Sequence, residues 1–275
     1  MPSNREAYFE AIRNDIPKPV VEFALKEING LDYLGLINEF DKEIKDYKYY
    51  RDAIDRYKRG EMIEHVFGKA YFLSTPFIVN KNVLIPRQET EQLVLKTIEL
   101  IKTMFGDNKI VIADICTGSG CIGISIARTM PNNTYYLTDI SKKALFVADK
   151  NVKNLVNKDT SLELVLGDML EPLKDKKLDV IVCNPPYIED ETTIDDKTWE
   201  QEPHLALLAK PSTLVYERLL KDYSLLVNEK YLLAFEIGEE MKQSLTKLVE
   251  KYCKNCEFSF EKDIYGKTRF LFIKH

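Results

Sequence analysis

Apolar side chains recur every three or four positions through the first 68 residues, which is the spacing of amphipathic helices. Tyr8, Ile12 and Ile16 form the first such row, and a later row ends at Gly30, where glycine is a common helix stop. The pattern predicts a compact helical domain over residues 1–68.

Residues 69–88 contain short β-rich runs around Ser74-Thr75-Pro76, and these predict a β-hairpin connector. Over residues 89–275, apolar strands alternate with amphipathic helices. Such alternation predicts an α/β domain with a doubly wound, mostly parallel, Rossmann-like sheet. Two final β-rich runs, 256–262 and 268–273, predict an antiparallel edge at the C-terminal end of this sheet.

Composition narrows the possible functions. The net charge of −5 disfavours stable nucleic-acid binding, because proteins that hold nucleic acid usually present a basic face to the phosphates. The longest apolar runs are too short to cross a bilayer, and the polar start lacks a secretory signal. Five irregularly spaced cysteines indicate a reducing, cytoplasmic location. Cys253 and Cys256 form one isolated C-x-x-C pair, so we predict no metal site.

A glycine-rich turn separates a predicted strand over 110–114 from a predicted helix over 121–129. Gly118, Gly120 and Gly123 satisfy G-x-G-x-x-G, a spacing that lets the backbone approach a nucleotide ligand closely. Two classes of cofactor use this spacing, and the motif alone does not separate them. Asp114 ends the strand, where a carboxylate would repel a pyrophosphate but could help to place a cationic or amino-acid-bearing ligand.

Two further acids end the next two predicted strands. Asp139 is placed to accept hydrogen bonds from ribose hydroxyls, and Asp168 could accept one from an adenine amino group. Each acid also has a purely structural interpretation, Asp139 as a helix cap beside Ser141 and Asp168 as a turn residue. Three acids on three successive strands nevertheless predict a ligand site, because open α/β sheets bind ligands at the carboxyl edge.

The most informative segment is Asn184-Pro185-Pro186-Tyr187, which directly follows an apolar strand. Prolines fix the backbone and leave neighbouring carbonyls pointing outward, although Pro-rich turns also occur without a function. The side-chain oxygen of Asn184 and the carbonyl of Pro185 can each accept one N–H of an amide or exocyclic amino nitrogen. Tyr187 can pack on the planar group that carries this nitrogen. The segment predicts nitrogen methylation from a sulfonium ligand on the neighbouring loop, driven mainly by positioning.

Over nearly the whole chain after residue 68, the sequence resembles the peptide chain release factor N5-glutamine methyltransferases. The segments that carry the resemblance are Ile85–Glu91, Asp114–Gly120, Thr138–Ser141, Gly167-Asp168, Asn184–Tyr187, Phe235–Gly238 and Asp263–Arg269. The resemblance implies methyl transfer from S-adenosylmethionine to the glutamine side-chain nitrogen in the Gly-Gly-Gln motif of release factors. It also implies a domain order of helical substrate-recognition domain (1–68), β-hairpin connector (69–88) and methyltransferase domain (89–275).

The resemblance further implies site roles. The substrate amide would be held by the catalytic segment Asn184, Pro185, Pro186 and Tyr187. The cofactor would contact Cys116, Thr117, Gly118, Ser119, Gly120, Asp139, Met169 and Asn184, to which the strand-end argument adds Asp114 and Asp168. Three positions depart from the family pattern. Cys116 replaces a glycine, Met169 stands where tryptophan is frequent, and Gln88 replaces a proline.

The sequence leaves three other functions to be considered. An amino-group methyltransferase of DNA or rRNA bases uses the same Asn-Pro-Pro-Tyr chemistry, but would be expected to carry an extra basic domain. A nicotinamide-dependent oxidoreductase is disfavoured by Asp114 and by the Pro-Pro segment. A non-catalytic, cofactor-binding adaptor of the translation machinery is disfavoured by the intact Asn184.

Overall fold

The computed structural model describes residues 1–275, and contacts divide them into two compact units. The first unit comprises residues 1–69 and 196–201, and the second comprises 70–195 and 202–275. The helices, in chain order, are α1 (Asn4–Arg13), α2 (Lys18–Asn29), α3 (Tyr33–Asn38), α4 (Tyr47–Lys58), α5 (Ile63–Phe67), α6 (Gln88–Phe105), α7 (Cys121–Thr129), α8 (Lys142–Leu155), α9 (Asp196–Gln201), α10 (Leu214–Asp222) and α11 (Lys242–Tyr252). The strands are β1 (Lys69–Phe72), β2 (Thr75–Ile78), β3 (Val111–Ile115), β4 (Thr134–Asp139), β5 (Ser161–Leu166), β6 (Leu178–Cys183), β7 (Val227–Glu236), β8 (Glu257–Lys262) and β9 (Thr268–Lys274).

The first unit is helical, and its helices begin and end where local chemistry dictates. Ser3 and Glu6 form a reciprocal capping box at the start of α1, which satisfies backbone N–H groups that the helix leaves unpaired. Gly30 ends α2 in the left-handed conformation, which glycine adopts without a steric cost. The apolar rows of α1, α2, α4 and α5 form one buried cluster that includes Ala7, Leu25 and Ala53.

Helix α9 also belongs to the first unit, although it lies far along the chain. The Lys197 ammonium nitrogen lies 3.6 Å from the centroid of the Tyr57 ring, which is a cation–π contact. The sequence pattern identifies residues 189–205 only as a polar segment. In the structure, residues 196–201 form a helix that belongs to the first unit.

The second unit is built on a seven-stranded sheet with the order β5-β4-β3-β6-β7-β9-β8. Strands β3 to β7 run parallel to one another, whereas β9 pairs antiparallel with β7 and with β8. The predicted fold class is therefore confirmed, including the antiparallel C-terminal edge. Strands β1 and β2 form a separate two-stranded sheet in the segment predicted as a hairpin.

Apolar clusters cover both faces of this sheet. Along β6, Val180 and Val182 join the cluster that includes α6 and α7, while Ile181 and Cys183 join the cluster that includes α10 and α11. This alternation follows from the two-residue period of a strand, and burial on both faces explains why β6 is apolar except at Asp179. No helix of the structure combines the length and the apolar character needed to cross a membrane.

The order of the strands determines where a ligand can bind. Strand β3 has β4 on one side and β6 on the other, so the strand order reverses at the β3–β6 pair. In open α/β sheets, a crevice forms outside the carboxyl ends of the strands at such a reversal. The glycine-rich turn follows β3 and Asn184 follows β6, so both predicted site segments lie at this crevice.

Candidate active site

A cavity of about 320 Å³ lies in the second unit, at the carboxyl ends of the parallel strands. Small-molecule sites typically occupy about 300–1,000 Å³, so the cavity is of a size for a nucleoside-like ligand. The predicted residues that line it are Cys116, Gly118, Asp139, Asp168, Met169, Asn184 and Pro186. Further lining residues that the sequence did not point to include Asn82, Ile140, Ala144, Leu205, Lys210 and Arg218. Asp114, Thr117, Ser119, Gly120, Pro185 and Tyr187 do not line the cavity.

Asp114 lies beneath the glycine-rich turn, fully buried. Its Oδ2 accepts hydrogen bonds from the Thr117 hydroxyl at 2.5 Å and from the Gly123 backbone N–H at 2.9 Å. Burial raises the pKa of Asp114 to about 7, while these two hydrogen bonds act in the opposite direction. Because Gly123 lies in the first turn of α7, the Asp114 carboxyl occupies the helix N-terminus at which a dinucleotide would bind its pyrophosphate. The structure therefore disfavours a nicotinamide cofactor.

Two glycines of the G-x-G-x-x-G spacing, one in the turn and one in α7, have different roles. Gly118 lines the cavity with a φ of +57°, and a Cβ at this position would meet no atom within 4 Å. The backbone there is thus open to close approach by a ligand. At Gly123, a Cβ would lie 2.8 Å from the Leu137 side chain, so glycine permits the close packing of α7 on β4. Cys116 also has a left-handed φ, +59°, which an L-residue rarely adopts.

Asp139 reaches the cavity from the end of β4. Its Oδ2 accepts a hydrogen bond from the Gly118 N–H at 2.9 Å, and its Oδ1 accepts one from the Ser141 N–H at 2.8 Å. Burial raises the pKa of Asp139 above its ordinary value, and the two backbone hydrogen bonds act against this rise. A carboxylate has about four acceptor sites, so two remain for a ligand's hydroxyl groups.

Asp168 is already paired with another side chain of the protein, contrary to the simplest expectation. Its Oδ2 accepts a charge-assisted hydrogen bond from Arg218 Nη2 at 2.6 Å. Both side chains line the cavity, so the pair forms part of its wall. Met169 follows with a φ of +50°, and its carbonyl accepts a hydrogen bond from the Thr138 hydroxyl. The Met169 thioether and the Ile140 side chain provide apolar surface for a flat heterocycle.

The Asn184–Tyr187 segment contains two acceptors that have no hydrogen-bond partner. Asn184 Nδ2 donates to the Thr90 hydroxyl at 3.2 Å, and no hydrogen bond in the structure uses Asn184 Oδ1 or the Pro185 carbonyl. Tyr187 faces inward, with its hydroxyl 3.5 Å from Glu236 Oε1. The sequence predicted packing of Tyr187 on a substrate, whereas the structure gives its hydroxyl a partner inside the protein.

Sequence reasoning missed the residues that support this segment from within. Thr90 of α6 donates its hydroxyl hydrogen to Glu236 Oε2 at 2.6 Å, and both side chains are buried. Burial raises the pKa of Glu236 to about 7, although Thr90 and Arg269 act to lower it. No local motif marks these residues, because the threonine and the glutamate lie in distant parts of the sequence. Their only signal was membership of the segments that carried the family resemblance.

Asn151 of α8 supports the other side of the site, and its only signal in the sequence was that it fits the family pattern. Its Oδ1 accepts from the Ile78 N–H at 2.7 Å, and its Nδ2 donates to the Ile78 carbonyl at 3.0 Å. The same Nδ2 donates to the Ser119 carbonyl in the glycine-rich turn at 2.9 Å. Asn151 therefore ties β2 to the turn.

Taken together, the strand order, the acid at the end of β4 and the filled N-terminus of α7 define the class of S-adenosylmethionine-dependent methyltransferases. The donor set fits this cofactor. Asp139 offers acceptors for ribose hydroxyls, Met169 and Ile140 offer apolar surface, and Gly118 leaves its backbone exposed. In the first turn of α7, Asp114 also takes the Gly123 N–H, and its carboxylate would disfavour a pyrophosphate there.

Comparison with known proteins agrees with this class of enzyme and identifies the family within it. Residues 92–201 match the family model described as the methyltransferase small domain. A release factor glutamine methyltransferase of Mycoplasma mycoides is 35% identical over 268 residues, which cover 94% of this chain and 93% of that protein. The protein of the same name from Bacillus subtilis is 34% identical, with coverages of 90% and 88%. The chain belongs to the release factor glutamine methyltransferase family.

Among solved structures, the human Mettl16 catalytic domain in complex with an RNA hairpin is similar with a TM-score of 0.57. The match covers 97% of this chain and 90% of that chain at 13% sequence identity. An identity this low shows that the two proteins share a fold.

Proposed function

We propose that this protein transfers the methyl group of S-adenosylmethionine to the side-chain amide nitrogen of the glutamine in the Gly-Gly-Gln motif of peptide chain release factors. The names of its relatives support this assignment, and the chain covers about nine-tenths of their length. The alternative, methylation of an exocyclic amino group on a nucleic-acid base, would use the same Asn-Pro-Pro-Tyr segment. The acidic net charge of −5 favours the protein substrate.

One observation carries the proposal. Asn184 turns its NH2 group toward Thr90, so its Oδ1 is left as an acceptor close to the Pro185 carbonyl in the chain. A primary amide has two N–H groups, and two acceptors can fix both of them. An amide nitrogen is a weak nucleophile because its lone pair is delocalised over the carbonyl. Acceptors at both N–H groups favour the positive charge that develops on nitrogen as it is methylated.

We assign the cofactor contacts to residues that line the cavity. Asp139 would accept from the ribose hydroxyls, Met169 and Ile140 would pack on the adenine, and the Gly118 backbone would lie beside the ligand. When bound, S-adenosylmethionine supplies an electrophilic methyl group. The protein's part is to hold the amide nitrogen in line and to exclude water, and such positioning accounts for a large share of enzymatic acceleration. A dedicated general base is not required, because the nitrogen becomes acidic once it is methylated.

We further propose that the first unit recognises the protein substrate and that the reaction takes place in the cytoplasm, where release factors act on ribosomes. The five free cysteines agree with a reducing compartment. In this proposal, residues 1–68 select the substrate, residues 69–88 connect the two domains, and residues 89–275 catalyse the methyl transfer.

The decisive experiment measures transfer of labelled methyl groups to a purified release factor. We expect labelling of the wild-type factor, none when its Gly-Gly-Gln glutamine is replaced by alanine, and near-complete loss with the Asn184→Ala enzyme. Labelling that persists on the replaced factor would refute the glutamine assignment. Salt separates the nucleic-acid alternative, since binding to phosphates weakens steeply with ionic strength whereas labelling of a release factor should change little.

A further inference from the structure

Two buried groups behind Asn184, Thr90 and Glu236, continue from its side chain in an unbroken chain of hydrogen bonds. Asn184 Nδ2 lies 3.2 Å from Thr90 Oγ1, and Thr90 Oγ1 lies 2.6 Å from Glu236 Oε2. Thr90 is 2% exposed and Glu236 is 3% exposed, so water does not compete for these contacts. We refer to these three residues as the amide relay.

The donors and acceptors of the amide relay allow only one arrangement when Glu236 is ionised. A carboxylate has no hydrogen and can only accept, and the threonine hydroxyl has a single hydrogen to give. The hydrogen of Thr90 therefore goes to Glu236, at the distance of a charge-assisted bond. The oxygen of Thr90 then faces Asn184 with a lone pair, which can accept an N–H but would repel a carbonyl oxygen. The NH2 group of Asn184 must face Thr90, and its Oδ1 must face away.

We propose that Thr90 and Glu236 are positioning residues that set the orientation of the Asn184 amide, so that its oxygen and not its NH2 group meets the substrate nitrogen. This inference rests on the proposed function, because orientation matters only if Asn184 accepts a hydrogen bond from the substrate. An amide rotated by half a turn would offer hydrogens to the substrate N–H groups and would oppose the developing positive charge. Neither residue lines the cavity, so both act through Asn184.

The ionisation of Glu236 makes the amide relay sensitive to pH. Five titratable groups surround its carboxyl: Glu89 of α6, Cys121 of α7, Tyr187 after β6, Tyr216 of α10 and Arg269 of β9. Among these, Arg269 and the Tyr187 hydroxyl favour the carboxylate, and Glu89 disfavours it. Below its pKa, the protonated Glu236 can donate to the Thr90 oxygen, which frees the threonine hydrogen for donation to Asn184 Oδ1. Either end of the Asn184 amide can then face Thr90. Turnover should therefore rise with pH as Glu236 ionises.

The test compares Thr90→Val, which removes the hydroxyl and keeps the shape, with Thr90→Ser, which retains the hydroxyl. A matched control is Thr97→Val, because Thr97 is buried on the same helix and its hydroxyl has no hydrogen-bond partner. We expect Thr90→Val to lower kcat about tenfold to a hundredfold with little change in KM, since misplacing a reacting group costs on this scale. Thr90→Ser should recover most of the turnover, and Thr97→Val should match the wild type.

A double variant separates positioning from general damage to the fold. If Thr90 acts through Asn184, Thr90→Val should cost nothing further in an Asn184→Ala enzyme, because the amide it orients is gone. A further loss there would overturn the proposal. The proposal would also be overturned if the kcat of Thr90→Val equalled that of Thr97→Val. In that case, labelling of the release factor by the wild-type enzyme would still support the proposed function.

A measurement without turnover tests the geometry directly. The side-chain amide of Asn184 gives a nitrogen-15 NMR signal, assigned by its loss in Asn184→Ala. We expect this signal to shift in Thr90→Val and in Glu236→Gln, and to stay in place in Thr97→Val. An unchanged signal in Thr90→Val would refute the amide relay, even if the enzyme proved to act on another substrate.

Discussion

The effect of replacing Asn151 on the free energy of unfolding can be estimated from its individual hydrogen bonds. Its side chain is fully buried and makes three hydrogen bonds, two to Ile78 on β2 and one to the Ser119 carbonyl. The pair of bonds to Ile78 resembles the contact that a neighbouring strand would make. Asn151→Ala would leave one N–H and two carbonyls without these partners.

Each hydrogen bond contributes about 0.5–1.5 kcal/mol net, and backbone groups left buried without a partner cost at least as much. Three bonds therefore predict a loss of about 3 kcal/mol in the free energy of unfolding. A second effect should accompany it. Because Ser119 lies next to Gly118 at the cavity, loosening its carbonyl should weaken binding of S-adenosylhomocysteine.

Urea unfolding measures the first effect, and titration calorimetry with S-adenosylhomocysteine measures the second. Asn154→Ala is the matched control, because Asn154 is exposed on the same helix. We expect this control to change stability by less than about 0.5 kcal/mol. A loss below about 1 kcal/mol in Asn151→Ala would show that water or backbone shifts replace the three bonds, and the reasoning would fail.

Three further predictions concern other buried contacts. The pKa of Glu236 is raised from 4.5 to about 7, so its contribution to stability is complete below pH 4.5 and is lost as the pH rises through 7. Relative to Glu236→Gln, the free energy of unfolding of the wild type in urea should fall by about 3 kcal/mol between pH 4.5 and pH 8. The same pH dependence of this free energy in both proteins would contradict the prediction. Asp139→Ala should weaken binding of S-adenosylhomocysteine about tenfold to a hundredfold by calorimetry, and undiminished affinity would place the ribose elsewhere. Gly123→Ala forces a Cβ to within 2.8 Å of Leu137 and should lower the free energy of unfolding by about 1–3 kcal/mol, whereas an unchanged melting temperature would show that the leucine moves aside.

The sequence predicted the fold well wherever burial imposes a period. Helix α7 begins and ends at the predicted residues, 121 and 129, because a glycine turn precedes it and its apolar residues face the sheet. Helix α9 gave no such signal, since none of its side chains is buried and a six-residue polar run has no apolar row. The pattern predicts longer helices over 213–226 and 239–252. The structure divides each of them into an α-helix and a short 3-10 turn, Tyr223–Leu225 after α10 and Glu239–Met241 before α11.

The candidate site was predictable in part for a related reason. Acids at strand ends and the Asn184–Tyr187 segment are local features, and the rules for parallel sheets bring them to one edge. The partners of these residues are not local. Thr90 and Glu236 lie 146 positions apart, and Asp168 meets Arg218 across 50 positions. Such pairs depend on how helices pack on the sheet, which the spacing of residues along the chain does not specify.

Because α9 belongs with the N-terminal helices, the first unit is not a simple appendage that can be cut away at one point. The chain leaves this unit at residue 69, returns to it at 196 and leaves again at 201. A truncated protein that begins at residue 70 would lack Tyr57, and Lys197 and its helix would lose this contact and be exposed to solvent. Separating the two units cleanly would require removing both stretches, with a short linker joining residue 195 to residue 202.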